Sequence, residues 1–350
     1  MAKFASKGLA AAARSLVLAA ACASLASASS SASSRPQQPP QLNAVLHAPM
    51  TPFTADGAVN LTVIPALARD AAASGVTFVF VVGGMGQFDT LTLAERKAVA
   101  SAWLAAGRPL GLFICVHVGA TAQADAVELA GHAASIGADA IASLPPFYEK
   151  PPTPQALAAW LAPVAAAAGS IPLYYYHIPA STGVTMTMTS FFPEALRAIP
   201  TFAGVKFVST DLVDFAALVT AYGASSPAPL ALLFAPEPKL AGVALGATGV
   251  VLAESFFAPS WLRMCHAASA GDWAAARAEQ AWKARIVAIF AGFPGADAER
   301  TVYRRLIGVD MGPPRAPVLP LSPTDYATLE AQLDAEGFFS QAPAPGPCVL

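Results

Sequence analysis

Charged side chains are scarce: Asp, Glu, Lys and Arg make up 12% of the 350 residues, well below the roughly 25% of an average soluble domain. No basic stripe and no aromatic-interleaved basic patch occurs, so the electrostatic footprint of a nucleic-acid binder is missing. Apolar residues reach 55%, yet no apolar run attains the roughly 20 residues that cross a bilayer. Alanine carries much of this excess, as in a helix-rich, well-buried fold. Cysteine is limited to Cys22, Cys115, Cys265 and Cys348, with no CxxC pair and no metal spacing. That distribution argues against a disulfide framework and against a zinc site. Cys348 has only two residues after it, which excludes a prenylation box.

Acidic residues are absent from residues 1–41, where Lys3, Lys7, Arg14 and Arg35 stand. Removing that segment would leave 16 basic against 22 acidic residues. Its small and apolar run from Leu16 to Ala28, followed by Ser- and Pro-rich sequence, suits a cleaved signal peptide. The Ala, Ser and Arg bias equally suits an organellar transit peptide, and a disordered extension is the third reading. The expected destination is the secretory pathway or an organelle, with a soluble protein after removal.

From Leu42 the chain alternates short apolar runs with helical patterns. The predicted strands are 44–49, 77–83, 110–118, 140–144, 173–177, 204–208, 230–234 and 249–253. Helix starts are read at Asn60, Thr92, Thr121, Thr153 with Pro154, and Thr210 or Asp211. Eight strand–helix alternations favour a closed parallel barrel over an open sheet, giving an α/β fold of the (β/α)8 TIM-barrel type. Further helices are expected over 261–292, 296–307 and 322–337. The implied organisation is a leader at 1–41, a barrel core at 42–258, C-terminal helices packed on it at 259–339, and a flexible tail at 340–350.

Two predicted strands, with helix between them, each deliver one reactive side chain near a C-terminal end: Tyr176 and Lys206. Lys206 stands among Ala203, Gly204, Val205, Phe207 and Val208. Desolvation there disfavours the ammonium form and frees an amine nucleophile for Schiff-base chemistry. The competing reading is a lysine at a strand edge or one snorkelling to water. In a barrel the chemistry sits where strands end, and Tyr176, Lys206 and the Gly83-Gly84-Met85-Gly86 turn all occupy such positions.

Between Leu42 and Phe339 the chain carries, in order, APMTPFTADGAVN at 48–60, LTLAER ending at Arg96, HVGA at 117–120, YYYHIPASTGV at 174–184, GVKF at 204–207, GATG at 246–249 and MGPPRAP at 311–317. With these motifs it resembles the dihydrodipicolinate synthase and N-acetylneuraminate lyase family of Schiff-base aldolases. The resemblance implies an eight-stranded barrel, usually a homotetramer, that works without a metal or other cofactor through a covalent imine on Lys206. Its expected partner is a small 2-oxo acid. N-acetylneuraminate, or a related 2-oxo acid, would be cleaved to pyruvate and N-acetylmannosamine or another aldehyde, with Tyr176 moving the proton at the breaking bond. Tyr148 matches the family's aromatic that reaches a neighbouring subunit; packing on its own barrel is the alternative.

The substrate-binding positions depart from that family. Gly84 and Met85 replace the two hydroxyl residues of the carboxylate loop, and Gln87 its glutamate. The sugar-binding positions fall on Val208, Ala235, Glu237 with Pro238, and Ala253. These losses leave open a second reading, a catalytically impaired barrel that binds carboxylates or serves as a partner subunit. Glu237 and Glu254 are candidates for a new polar grip at the barrel mouth, or plain surface carboxylates. His117 and His177 read as hydrogen-bonded core histidines and Cys115 as core filling.

Overall fold

Each of eight short runs is buried along its whole length or nearly so, and a strand buried on both faces reads as a continuous apolar stretch. The computed structural model describes residues 44–293, 297–343 and 346–348, so the leader reading, with Cys22, lies outside the described residues. The strands are β1 Ala44–His47, β2 Phe78–Val81, β3 Phe113–His117, β4 Ala140–Ser143, β5 Leu173–His177, β6 Phe202–Phe207, β7 Ala231–Phe234 and β8 Gly249–Ala253. They close in chain order into a parallel barrel, with β1 pairing β8.

Alternation along each strand divides inside from outside. On β5, Tyr174 and Tyr176 belong to the barrel interior with Phe78, Phe80 and Cys115; Leu173 and Tyr175 pack outward on the helices. On β6, Lys206 pairs in register with Tyr176 of β5, which fixes Lys206 on the interior face. Gly204, two residues earlier, has φ +144, and a Cβ there would lie 2.0 Å from the Ala231 carbonyl oxygen. Only glycine allows β6 and β7 this approach.

The barrel helices are α1 Ile64–Ala73, α2 Leu93–Gly107, α3 Gln123–Ser135, α4 Pro154–Ala167, α5 Met188–Ala198, α6 Leu212–Tyr222, α7 Lys239–Leu245 and α8 Ala258–Ser269. Thr92 opens α2 with a full capping box to Glu95, and Thr153 and Asp211 cap α4 and α6 as expected. Thr121 does not cap α3: the helix starts one residue later than that would need, with Ala122 at its cap and no side-chain bond. Asp214 of α6 receives the backbone N–H groups of Met188 and Thr189 at 2.7 and 3.0 Å, holding the first turn of α5.

The helix read over 261–292 is two helices, α8 and α9 Trp273–Ala291, because Gly271 at φ +77 turns the chain between them. α10 Asp297–Ile307 and α11 Pro323–Ala335 follow. Between them Arg315 grips Glu95 of α2 with both guanidinium arms, at 2.5 and 3.0 Å. That bidentate pair ties the MGPPRAP motif to the LTLAER motif, and it holds the Glu95 carboxyl down at about 2. No helix among the described residues is long and apolar enough to cross a membrane.

The expectation of no disulfide is corrected. Cys265 of α8 is bonded to Cys348, 83 residues on, with Cα atoms 6.1 Å apart. Arg263 also donates to the Ala342 carbonyl at 2.7 Å, so the C-terminal segment is held against α8 at more than one point. A crosslink closing so long a loop restricts the unfolded chain and stabilises by about 2–4 kcal/mol. Cys348→Ser should therefore lower the denaturation midpoint and raise the m-value as the unfolded chain expands, and reductant should bring the wild type to the same level and leave the variant unmoved.

Candidate active site

Lys206 projects into the barrel from β6 and is 4% exposed. Its Nζ lies 3.8 Å from the Phe80 ring centroid and 4.4 Å from that of Tyr176. Burial pulls its pKa from 10.5 down to about 7, with the Cys115 thiol as the second, opposing influence. The ring faces hold the cationic form by their quadrupoles without neutralising it. Such an amine is uncharged often enough near neutrality to add to a carbonyl. The snorkelling alternative is thereby excluded.

Tyr176 is also buried, and desolvation pushes its phenol up to about 12. A free phenolate is disfavoured in that state. A cationic imine formed on Lys206 would sit beneath the same ring and favour the phenolate. His117 stands edge-on to Tyr176 at 5.7 Å, and its Nδ1 pairs with the Val82 carbonyl at 2.9 Å. Burial lowers its pKa well below the usual range, so it is a neutral, hydrogen-bonded core histidine. His177 is buried against Phe207 and likewise held low, at about 4.

The loop after β2 approaches from above. Val82 has φ 59 and Gln87 φ 50, left-handed conformations that are strained for a β-branched residue above all. Three anchors hold them: the Val82 carbonyl on His117, the Gly86 carbonyl accepting from Thr51 Oγ1 at 2.7 Å, and the Gln87 amide donating to the Arg315 carbonyl at 2.9 Å. Gly84 faces the phenol directly, since a Cβ there would lie 3.5 Å from the Tyr176 hydroxyl. Lys206, Tyr176 and Gly84 are thus brought together as expected.

At Tyr176 and Gly84 opens a cavity of about 280 Å³ lined also by Phe88, Leu144, Phe147 and Ile178 and by the polar Asp89, Ser181 and Thr182. Met85, Val208 and Ala235 pack against the same interior cluster, so three expected substrate positions sit at the mouth as apolar groups. Others go elsewhere. Glu237 binds Lys283 at 2.6 Å and Lys239 at 3.2 Å, and accepts from Gln280. Ala253 takes φ 66, and its carbonyl accepts from the Ala48 amide. Tyr148 is 81% exposed, which overturns packing on its own barrel. Glu254, considered for a polar grip, is fully buried; it accepts from the Tyr303 hydroxyl at 2.6 Å, and burial with Glu299 nearby raises its pKa. Sequence reasoning missed Phe80, Phe88, Asp89, Phe147 and Ile178. Phe80 could have been found by parity, two residues after inward-facing Phe78 on β2.

Among the described residues no group of three or more His, Cys, Asp or Glu is arranged to hold a metal ion. Residues 41–336 match the family model described as the dihydrodipicolinate synthetase family. The chain belongs to that family. It is 35% identical over 308 residues to the N-acetylneuraminate lyase of Homo sapiens, covering 86% of this chain and 94% of that one. The corresponding lyase of Danio rerio is 35% identical over 289 residues, with 81% and 93% covered. Among solved structures, the Proteus mirabilis N-acetylneuraminate lyase superposes with a TM-score of 0.79 at 32% identity, covering 85% of this chain and 99% of that one. Family members are pyruvate-dependent class I aldolases and lyases that use a Schiff-base lysine and no cofactor.

Proposed function

We propose that this chain is a carbon–carbon lyase that cleaves N-acetylneuraminate or a related 2-oxo acid to pyruvate and an aldehyde, with Lys206 as the imine-forming amine and Tyr176 as the proton-transfer group. The observation that carries this is the Lys206 ammonium, buried on the Phe80 and Tyr176 rings with its pKa drawn to about 7. The amine condenses with the keto carbon, takes up a proton and releases water, leaving a cationic imine that favours the phenolate of Tyr176. The bond between C3 and C4 then breaks, its electron pair passing into the cationic imine to give an enamine, while the C4 hydroxyl proton goes to that phenolate and aldehyde departs. Protonation at C3 and addition of water return pyruvate and the free amine.

Backbone N–H groups of the 83–87 turn are the proposed carboxylate cradle. The exposure of Tyr148 supports its proposed role at a neighbouring subunit of a homotetramer. The Cys265–Cys348 bond supports an oxidising compartment, and with it the secretory reading of the leader.

Borohydride reduction with pyruvate tests the assignment. A stable pyruvate-derived mass should appear on the peptide containing Lys206; a modified peptide elsewhere, or none, would overturn it.

A further inference from the structure

Five of the eight strand-to-helix loops put an apolar side chain at the barrel mouth: Met85 and Phe88 after β2, Phe147 after β4, Ile178 after β5, Val208 after β6 and Ala235 after β7 all pack against the interior cluster. Little polarity interrupts this ring. Thr182 has its hydroxyl bound to the Ile178 carbonyl at 3.0 Å, and Glu237 is held by Lys239 and Lys283. The Asp89 carboxylate and the Ser181 hydroxyl have no partner among the described residues and stand on the cavity wall.

A polyol entering this ring finds open side-chain partners at Asp89 and Ser181 and apolar surface elsewhere, and each further hydroxyl buried without a partner weakens binding. An alkyl or aryl group loses nothing of that kind and gains the burial. The cavity, about 280 Å³, lies just below the roughly 300 to 1,000 Å³ usual for ligand sites. Asp89 adds a sign: a second anion on the aldehyde half would meet a like charge at the wall.

Resting on the Schiff-base lyase reading above, we propose that the aldehyde half of the substrate is a compact, uncharged alkyl or aryl group, with Asp89 excluding anionic aldehydes. The retro-aldol balance is unchanged; only the group borne by C4 is specified.

Run in reverse, the reaction joins pyruvate to an added aldehyde and can be followed by pyruvate consumption. Isobutyraldehyde and benzaldehyde should exceed N-acetylmannosamine in kcat/KM by about tenfold or more, the discrimination that apolar contacts of this size provide. Succinic semialdehyde should be the poorest, and Asp89→Asn should raise its rate relative to isobutyraldehyde about two- to fivefold, the range expected when a like charge is removed from an exposed position. N-acetylmannosamine equalling or exceeding the apolar aldehydes would overturn the proposal, and an unmoved ratio in Asp89→Asn would remove the role of that carboxylate. Borohydride trapping on the same preparation separates the two levels. A Lys206 adduct without apolar preference overturns this inference alone, whereas no adduct overturns the lyase reading as well.

Discussion

Lys206→Ala should abolish both the borohydride-trapped pyruvate adduct and pyruvate release, while Tyr176→Phe keeps the adduct and lowers turnover by about 100- to 10,000-fold, the usual value of positioned acid–base assistance. The two variants divide the chemistry at the imine. Only the amine can join pyruvate to the chain, whereas the phenol acts once carbon–carbon bond breaking begins. Adduct formation should also depend on pH in one direction. Burial depresses the Lys206 pKa to about 7, so below that value the ammonium has no lone pair to offer. Trapping in wild type should rise as pH passes upward through about 7 and level off above it. A rise centred near the ordinary lysine value would show an amine in open water, contrary to its burial.

The same burial explains why this centre was legible in the sequence. One lysine in a run of apolar strand residues has few partners, and strand alternation places Tyr176 and Lys206 on a common face once their register is given. The barrel was legible for a related reason: strands buried on both faces leave short but unbroken apolar runs, and Thr92, Thr153 and Asp211 mark helix starts through side-chain bonds made within three residues. What escaped depends on residues far apart in the chain. Glu237 is claimed by Lys283, 46 residues on, and the Cys265–Cys348 bond spans 83; neither spacing carries a local signal. Glu254 reads as a surface carboxylate until α10 lays Tyr303 against it. The apolar mouth was half legible, in that the missing hydroxyls at Gly84, Met85 and Val208 could be read off, but not the convergence of Phe88, Phe147 and Ile178 that fills their place.

Gly84→Ser should raise turnover on the order of 100-fold if proton transfer limits the wild type, because well-placed acid–base assistance is worth at least that much. The geometry permits the change. A Cβ at 84 would sit 3.5 Å from the Tyr176 hydroxyl, an ordinary contact, and the residue is not in the left-handed region. The added hydroxyl can accept from the phenol in one step and return the proton in the next, a relay that the buried Tyr176, with its pKa near 12, lacks among its own contacts. Fold stability should change little, since removing a glycine slightly lowers the entropy of the unfolded chain. Steady-state pyruvate release gives kcat, and Met85→Thr in the same background should act mainly on KM, through a hydrogen bond to the substrate carboxylate worth about 1.5–3 kcal/mol. A double variant that forms the Lys206 adduct yet releases no pyruvate from any 2-oxo acid offered would point the other way. The loss would then lie in the apolar mouth above the imine, and the barrel would be a carboxylate binder that has kept its amine.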